Sequence, residues 1–71
     1  MATKLPTEVT GRVWKIIAPA GTVVAEGDTV VIIESMKMEI PVTAPHAGTV
    51  KSISVEEGDM VEEGQSVGTL E

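Results

Sequence analysis

Seventy-one residues are enough for one small domain with a single core but too few to enclose a sizeable catalytic cavity, which argues against a free-standing enzyme. Trp14 is the only aromatic residue and cysteine is absent, so the core has to be built from Val, Ile and Leu, without disulfides or thiolate metal sites. Eleven acidic residues against five basic ones give a net charge of −6, which disfavours nucleic acid and anionic membranes as partners.

Taken from the N-terminus, residues 1–8 contain no apolar run of signal-peptide length, and no later stretch approaches a bilayer span. They read as a short segment preceding a domain at 9–71. With the lack of cysteine, this leads to the expectation of a cytoplasmic protein with no membrane partner. The next segment, "TGRVWKIIAPAGTVVAEGDTVVIIE" (10–34), reads as strand, turn, short strand, turn, strand, because its apolar runs are short and punctuated by glycine. Residues 35–46 follow as a hairpin arm, and "AGTVKSISVEEGDMVEEGQSVGTLE" (47–71) then repeats the first segment without a gap at an offset of 37. Nine of the 25 aligned positions are identical, against roughly two expected from average residue usage. Six of the seven glycines fall into pairs, Gly11 with Gly48, Gly21 with Gly58 and Gly27 with Gly64, and all six are expected at structural turns. No helix is predicted anywhere. Two copies are too few for a solenoid, so the expected solution is two half-barrels closing on one Val/Ile core about a pseudo-two-fold axis. That axis places the hairpin at one end of the molecule and both chain termini at the other. Paired glycines and short edges leave no evident self-association strand, so a monomer is expected.

The hairpin "IIESMKMEIPV" (32–42) breaks a local rule. A two-residue turn centred on Met36 and Lys37 sets Glu34 opposite Glu39, and such turns favour Asn, Asp or Gly because both central residues need positive φ. A rule broken inside an otherwise consistent pattern marks a candidate functional site. Met36 and Met38 have the alternative of filling gaps in the core and Lys37 that of an ordinary surface lysine. A tip has little core to face, however, and two thioethers flanking an exposed amine make an adaptable apolar contact surface.

"ESMKMEI" followed by "APHAGTV" and "VEEGDMVEEGQSVGTLE" resembles the biotinyl domain of biotin-dependent carboxylases, and most of all the short single-domain biotin/lipoyl attachment proteins. The resemblance covers about residues 9–71. It implies an all-β fold, a flattened β-barrel (barrel-sandwich hybrid) of two four-stranded antiparallel sheets, with the target lysine on an exposed hairpin tip. It also implies a non-catalytic carrier, modified by a biotin protein ligase on the ε-amine of Lys37. A free lysine titrates at about 10.4, so the ligase has to assist deprotonation. The amide product is neutral, and the net charge passes from −6 to −7 by loss of one positive charge. By the same implication the tethered biotin visits a biotin carboxylase site and a carboxyltransferase site, encounters made local by the tether. Met36 and Met38 are then expected to serve the carboxylase partners, and Glu34, Ser35 and Glu39 to contribute to recognition. Ser35 departs from the alanine more usual in the family. The two copies have equal length, so the protruding thumb of some acetyl-CoA carboxylase carriers is absent.

The alternatives are a lipoyl carrier of the same fold, against which the two methionines argue because Asp-Lys-Ala is more usual there, and a non-acylated module of an adaptor or assembly protein. A dual acceptor of biotin and lipoate is a further form of the first. The lone histidine, His46, has no partners at ligand spacing and is expected to be solvated, so no metal is expected. Trp14, next to Val13 on the first strand, is expected on the opposite face and partly buried, with a partner contact as the alternative. The six acids after residue 46 (Glu56, Glu57, Asp59, Glu62, Glu63, Glu71) read as a solvated face, with steering towards a basic partner as the functional alternative. "GDMVEEG" lacks the ending of a phosphate loop, and one histidine supports no Ser/His/Asp site.

Overall fold

A computed structural model describes residues 2–71, which form eight strands and no helix. They are β1 (Thr3–Pro6), β2 (Gly11–Ile16), β3 (Val23–Val24), β4 (Thr29–Ser35), β5 (Met38–Thr43), β6 (Gly48–Ile53), β7 (Met60–Val61) and β8 (Ser66–Leu70). Two four-stranded sheets result, in the orders β1-β8-β6-β3 and β5-β4-β2-β7, and every pairing is antiparallel. Alternation puts Val13, Val31, Ile33 and Val42 of one sheet, and Leu5, Val50, Val67 and Leu70 of the other, into a common core.

The 37-residue repeat is visible in the hydrogen bonds. Gly21 N–H donates to the Val50 carbonyl at 2.8 Å, and Gly58 N–H donates to the Val13 carbonyl at 2.7 Å. Asp28 Oδ2 accepts from Ala25 N–H at 2.9 Å, and Gln65 Oε1 accepts from Glu62 N–H at 3.0 Å in the equivalent turn. The two copies nevertheless do not form separate halves. Each gives its short middle strand to the other's sheet: β3 pairs with β6, and β7 with β2. Val24 and Val61 carry that exchange into the core, while Val23 and Met60 point outward.

The N-terminal segment set apart in the sequence belongs to this scaffold. β1 pairs with β8, and Leu5 is 1% exposed within the core. Adding 37 to the numbers of β1 gives 40–43, the last four residues of β5, so Leu5 stands where Val42 stands in the other sheet. Gly27 N–H donates to the Ala44 carbonyl and Gly64 N–H to the Thr7 carbonyl, both at 2.8 Å, which extends the symmetry through residue 7. The pair β8–β1 is thus the counterpart of the β4–β5 hairpin, consistent with the expected exchange of the hairpin with the chain termini.

Two of the six paired glycines are not turn residues. Gly21, Gly27, Gly58 and Gly64 have φ between 85° and 96° and close turns as expected. Gly11 and Gly48 instead open β2 and β6, where a Cβ would run into the backbone carbonyl oxygens of Glu34 and Glu71 respectively. Close approach of two backbones, rather than positive φ, is what requires glycine there.

Candidate functional site

The β4–β5 hairpin is the longest paired segment, running from Thr29↔Thr43 to Ser35↔Met38. Its two-residue turn is Met36 and Lys37, with φ of 52° and 66°. Both therefore occupy the left-handed region that this turn geometry demands and that a side chain disfavours, at a cost on the order of 1 kcal/mol each. The strain has a geometric consequence. It carries the Lys37 side chain out at the extreme tip, with Met36 91% exposed and Met38 62% exposed beside it. Neither methionine fills a gap in the core.

An expected outcome follows for the turn. Met36→Asn places a residue that tolerates left-handed φ at that position and removes no core contact, so stability should rise by about 0.5–1 kcal/mol. For a domain of this size that is a shift of roughly 2–8 °C in the thermal midpoint. An unchanged or lower midpoint would show that the turn carries no such strain.

Below the tip, register builds a row across the whole sheet. Glu39 pairs with Glu34, Glu34 with Arg12, and Arg12 with Met60. The like-charged glutamates, unfavourable as an isolated pair, have the Arg12 guanidinium as the next member of the row. All four side chains are exposed. Ser35 is half-buried and turns back towards the body: its Oγ donates to the Thr10 carbonyl at 2.9 Å. Thr10 Oγ1 in turn accepts from Glu63 N–H at 3.0 Å. The end of the hairpin next to its turn is thereby tied to the β1–β2 connection and to the β7–β8 turn. Thr10, Arg12, Glu34, Ser35, Met36 and Met60 line an open groove of about 300 Å³ beside this end of the hairpin.

The structure thus keeps Glu34, Ser35, Met36, Lys37, Met38 and Glu39 together, as their sequence adjacency requires. It adds Arg12 and Met60 through strand register and Thr10 through its bond to Ser35, long-range contacts that no sequence signal singled out. His46 lies apart. Its Nδ1 donates to the Ala47 carbonyl at 2.8 Å, and in that tautomer Nε2 accepts from the Thr3 hydroxyl at 3.0 Å. No group of three or more His, Cys, Asp or Glu able to hold a metal occurs among the described residues. The acids after residue 46 are all exposed, and two of them have structural work: Asp59 Oδ2 accepts from Glu56 N–H at 2.9 Å and Glu57 Oε2 from Ile16 N–H at 3.1 Å.

The two-sheet scaffold thus holds one amine at a strained, apolar-flanked tip. Comparison with known proteins identifies the family. The family model described as "Biotin-requiring enzyme" matches residues 1–70, and the chain belongs to this biotin/lipoyl attachment family. It is 37% identical over 70 residues to a biotinylated protein of Mycobacterium leprae, covering 99% of each chain. It is 46% identical over 57 residues to the biotin/lipoyl attachment protein of Bacillus subtilis, covering 80% of this chain and 78% of that one. Among solved structures, the urea carboxylase of Kluyveromyces lactis superposes with a TM-score of 0.94 at 46% identity, over 99% of this chain but only 6% of the carboxylase.

Proposed function

We propose that this chain is a biotin carboxyl carrier in which Lys37 holds biotin by an amide bond. The observation that carries the reading is the tip itself, where Met36 and Lys37 both adopt left-handed φ and so push an exposed amine clear of the body. The residues present suit the group. A primary amine supplies the nucleophile, and Met36 and Met38 offer polarizable apolar surface to a largely hydrocarbon chain and bicyclic ring. When bound, biotin supplies the ureido nitrogen that takes up and gives up a carboxyl group.

Lys37 contributes the nitrogen and the reach of its four-carbon stem. In attachment a ligase removes a proton from the ammonium and Nζ bonds to the activated carboxyl carbon, releasing the activating group. Attachment leaves the residue uncharged. The hairpin, paired from Thr29 to Met38 and tied back by Ser35, fixes the root of that arm so that only the side chain and its extension swing. A fixed root keeps the arm's sweep centred on the tip, which raises the local concentration of the carried group at any site the tip can dock to. Glu34 and Glu39 stand ready as acceptors for basic groups of a ligase. A biotin carboxylase and a carboxyltransferase are the partners this reading requires, and the fact that similar domains occupy a few per cent of much longer carboxylase chains supports it.

The name of the Bacillus subtilis relative keeps a second reading in view, a lipoyl group on the same lysine. Intact-mass measurement after incubation with purified biotin protein ligase, biotin and ATP, beside a parallel incubation with lipoate and a lipoate ligase, separates the two. One biotinyl addition and slower or no lipoyl addition is the expected result. A chain that takes lipoate and refuses biotin would replace the first reading with the second.

A further inference from the structure

The pseudo-two-fold axis provides an internal control that most surfaces lack. It superposes the outer face of β5-β4-β2-β7 on the outer face of β1-β8-β6-β3, residue by residue at the 37 offset. Where one face carries a residue type that its equivalent lacks, the fold alone does not require it.

One row shows the difference in apolar character. In the hairpin sheet, Pro41 pairs with Ile32, and Ile32 faces Lys15 across a bulge whose extra residue is Trp14. Both Trp14 and Lys15 are exposed at that bulge, Trp14 by 47%. In the other sheet the equivalent row is Lys4, Thr69 and Ser52, with Lys51 at the equivalent bulge. There Ser52 Oγ and Thr69 Oγ1 simply hydrogen-bond each other at 2.7 Å. Beyond the strand the same contrast continues, with Ile17 46% exposed where the second copy has Ser54. One face thus shows Pro, Ile and Trp where its twin shows Lys, Thr and Lys. A bulge that aims the only aromatic residue of the chain at solvent, one row from Arg12 and Glu34, is a device associated with functional surfaces.

Area decides how far a partner of the tip must reach. A standard specific interface covers about 800 Å² on each partner. The whole chain exposes 4390 Å², so such a footprint takes nearly a fifth of it. Three side chains at a hairpin tip fall short of that. The body is only 17 Å across, so any partner of standard footprint centred on Lys37 has to run down one flank of the molecule.

Resting on the carrier reading, we propose that the outer face of the hairpin sheet, centred on Trp14 and Ile32 and bordered by Arg12, Lys15 and Pro41, is the docking surface for the biotin protein ligase that modifies Lys37. The partner surface it fits is a shallow apolar depression for the indole with carboxylates at its rim, facing Arg12 and Lys15. Trp14 acts there as an anchor that holds the hairpin in the ligase and takes no part in bond formation. Its effect belongs in KM and not in kcat.

The symmetry supplies the variants. Trp14→Lys and Ile32→Thr install the residues that the same fold already carries at Lys51 and Thr69, and Trp14→Ala removes the ring without adding charge. Initial rates of biotin incorporation by purified ligase are measured against carrier concentration, with thermal unfolding to establish that each variant is folded. KM should rise roughly five- to tenfold for Trp14→Lys and Trp14→Ala and less for Ile32→Thr, with kcat within twofold of the parent. Lys51→Ala, on the opposite face, should change neither. If KM for the folded Trp14 and Ile32 variants stays within twofold of the parent, the proposal is overturned while the carrier reading stands. It is equally overturned if those variants fail only as substrates of a carboxylase, since the face then belongs to that partner. A parent chain that takes no biotin removes the carrier reading and this proposal together.

Discussion

Lys37→Arg should take up no biotin at all in the intact-mass assay, while unfolding within about 0.5 kcal/mol of the parent. The substitution is chosen to change as little as possible besides nucleophilicity. Arginine keeps the positive charge, a long flexible stem and the same backbone demands, so the turn pays no new strain. Its guanidinium is not deprotonated in proteins and presents no free electron pair to an activated carboxyl carbon. The tip is exposed, so no core contact is lost with the side chain. Residual incorporation into this variant would mean that Lys4, Lys15 or Lys51 accepts the group, and the hairpin geometry would no longer explain the modification. Complete loss in a chain of unchanged stability assigns the attachment to the strained tip.

What could be read from sequence, and what could not, follows from how much local pattern each feature carries. The hairpin was legible because Met36 and Lys37 sit where turn chemistry asks for Asn or Gly, and the observed φ values show that the chain accepts that strain. Long strands were legible through glycine punctuation and the 37-residue repeat. β1 was not, although it is the symmetry mate of β5, because residues 3–9 share no identical residue with 40–46. A four-residue edge strand needs only one inward apolar side chain, here Leu5, and one residue makes no pattern. The exchange of β3 and β7 between sheets was hidden for the same reason, since two-residue strands have no period. Gly11 and Gly48 were found as a pair but given the wrong role: sequence shows that a Cβ is not wanted, without showing whether conformation or proximity forbids it. Arg12 and Met60 reach the site through register and Thr10 through its bond to Ser35, which are properties of the assembled sheets.

That distinction between conformation and proximity gives the largest expected stability effect. Gly11→Ala should cost about 2–3 kcal/mol, a large share of the roughly 3–5 kcal/mol that a core of this size supplies. The added Cβ meets the Glu34 carbonyl oxygen and comes within 2.9 Å of Ile33 Cγ2. Neither neighbour can yield cheaply. Glu34 lies within β4, paired with Arg12 on one side and Glu39 on the other, so its carbonyl moves only if the hairpin moves with it. Ile33 is fully buried against the opposite sheet. Gly48→Ala makes the equivalent contact with Glu71, which lies beyond the last residue of β8 and, among the described residues, is held by its bonds to Thr49. Its cost should be smaller by about 1 kcal/mol. Gly21→Ala tests the other kind of demand: a Cβ there meets nothing within 4 Å, so only the φ of 93° opposes it, at about 1 kcal/mol. Urea unfolding of the three variants should therefore rank Gly11 above Gly48 and both above or level with Gly21. If Gly11→Ala unfolds at the parent's midpoint, β2 and β4 do not approach as closely as the structure has them, and the hairpin that bears Lys37 is held more loosely than its hydrogen bonds describe.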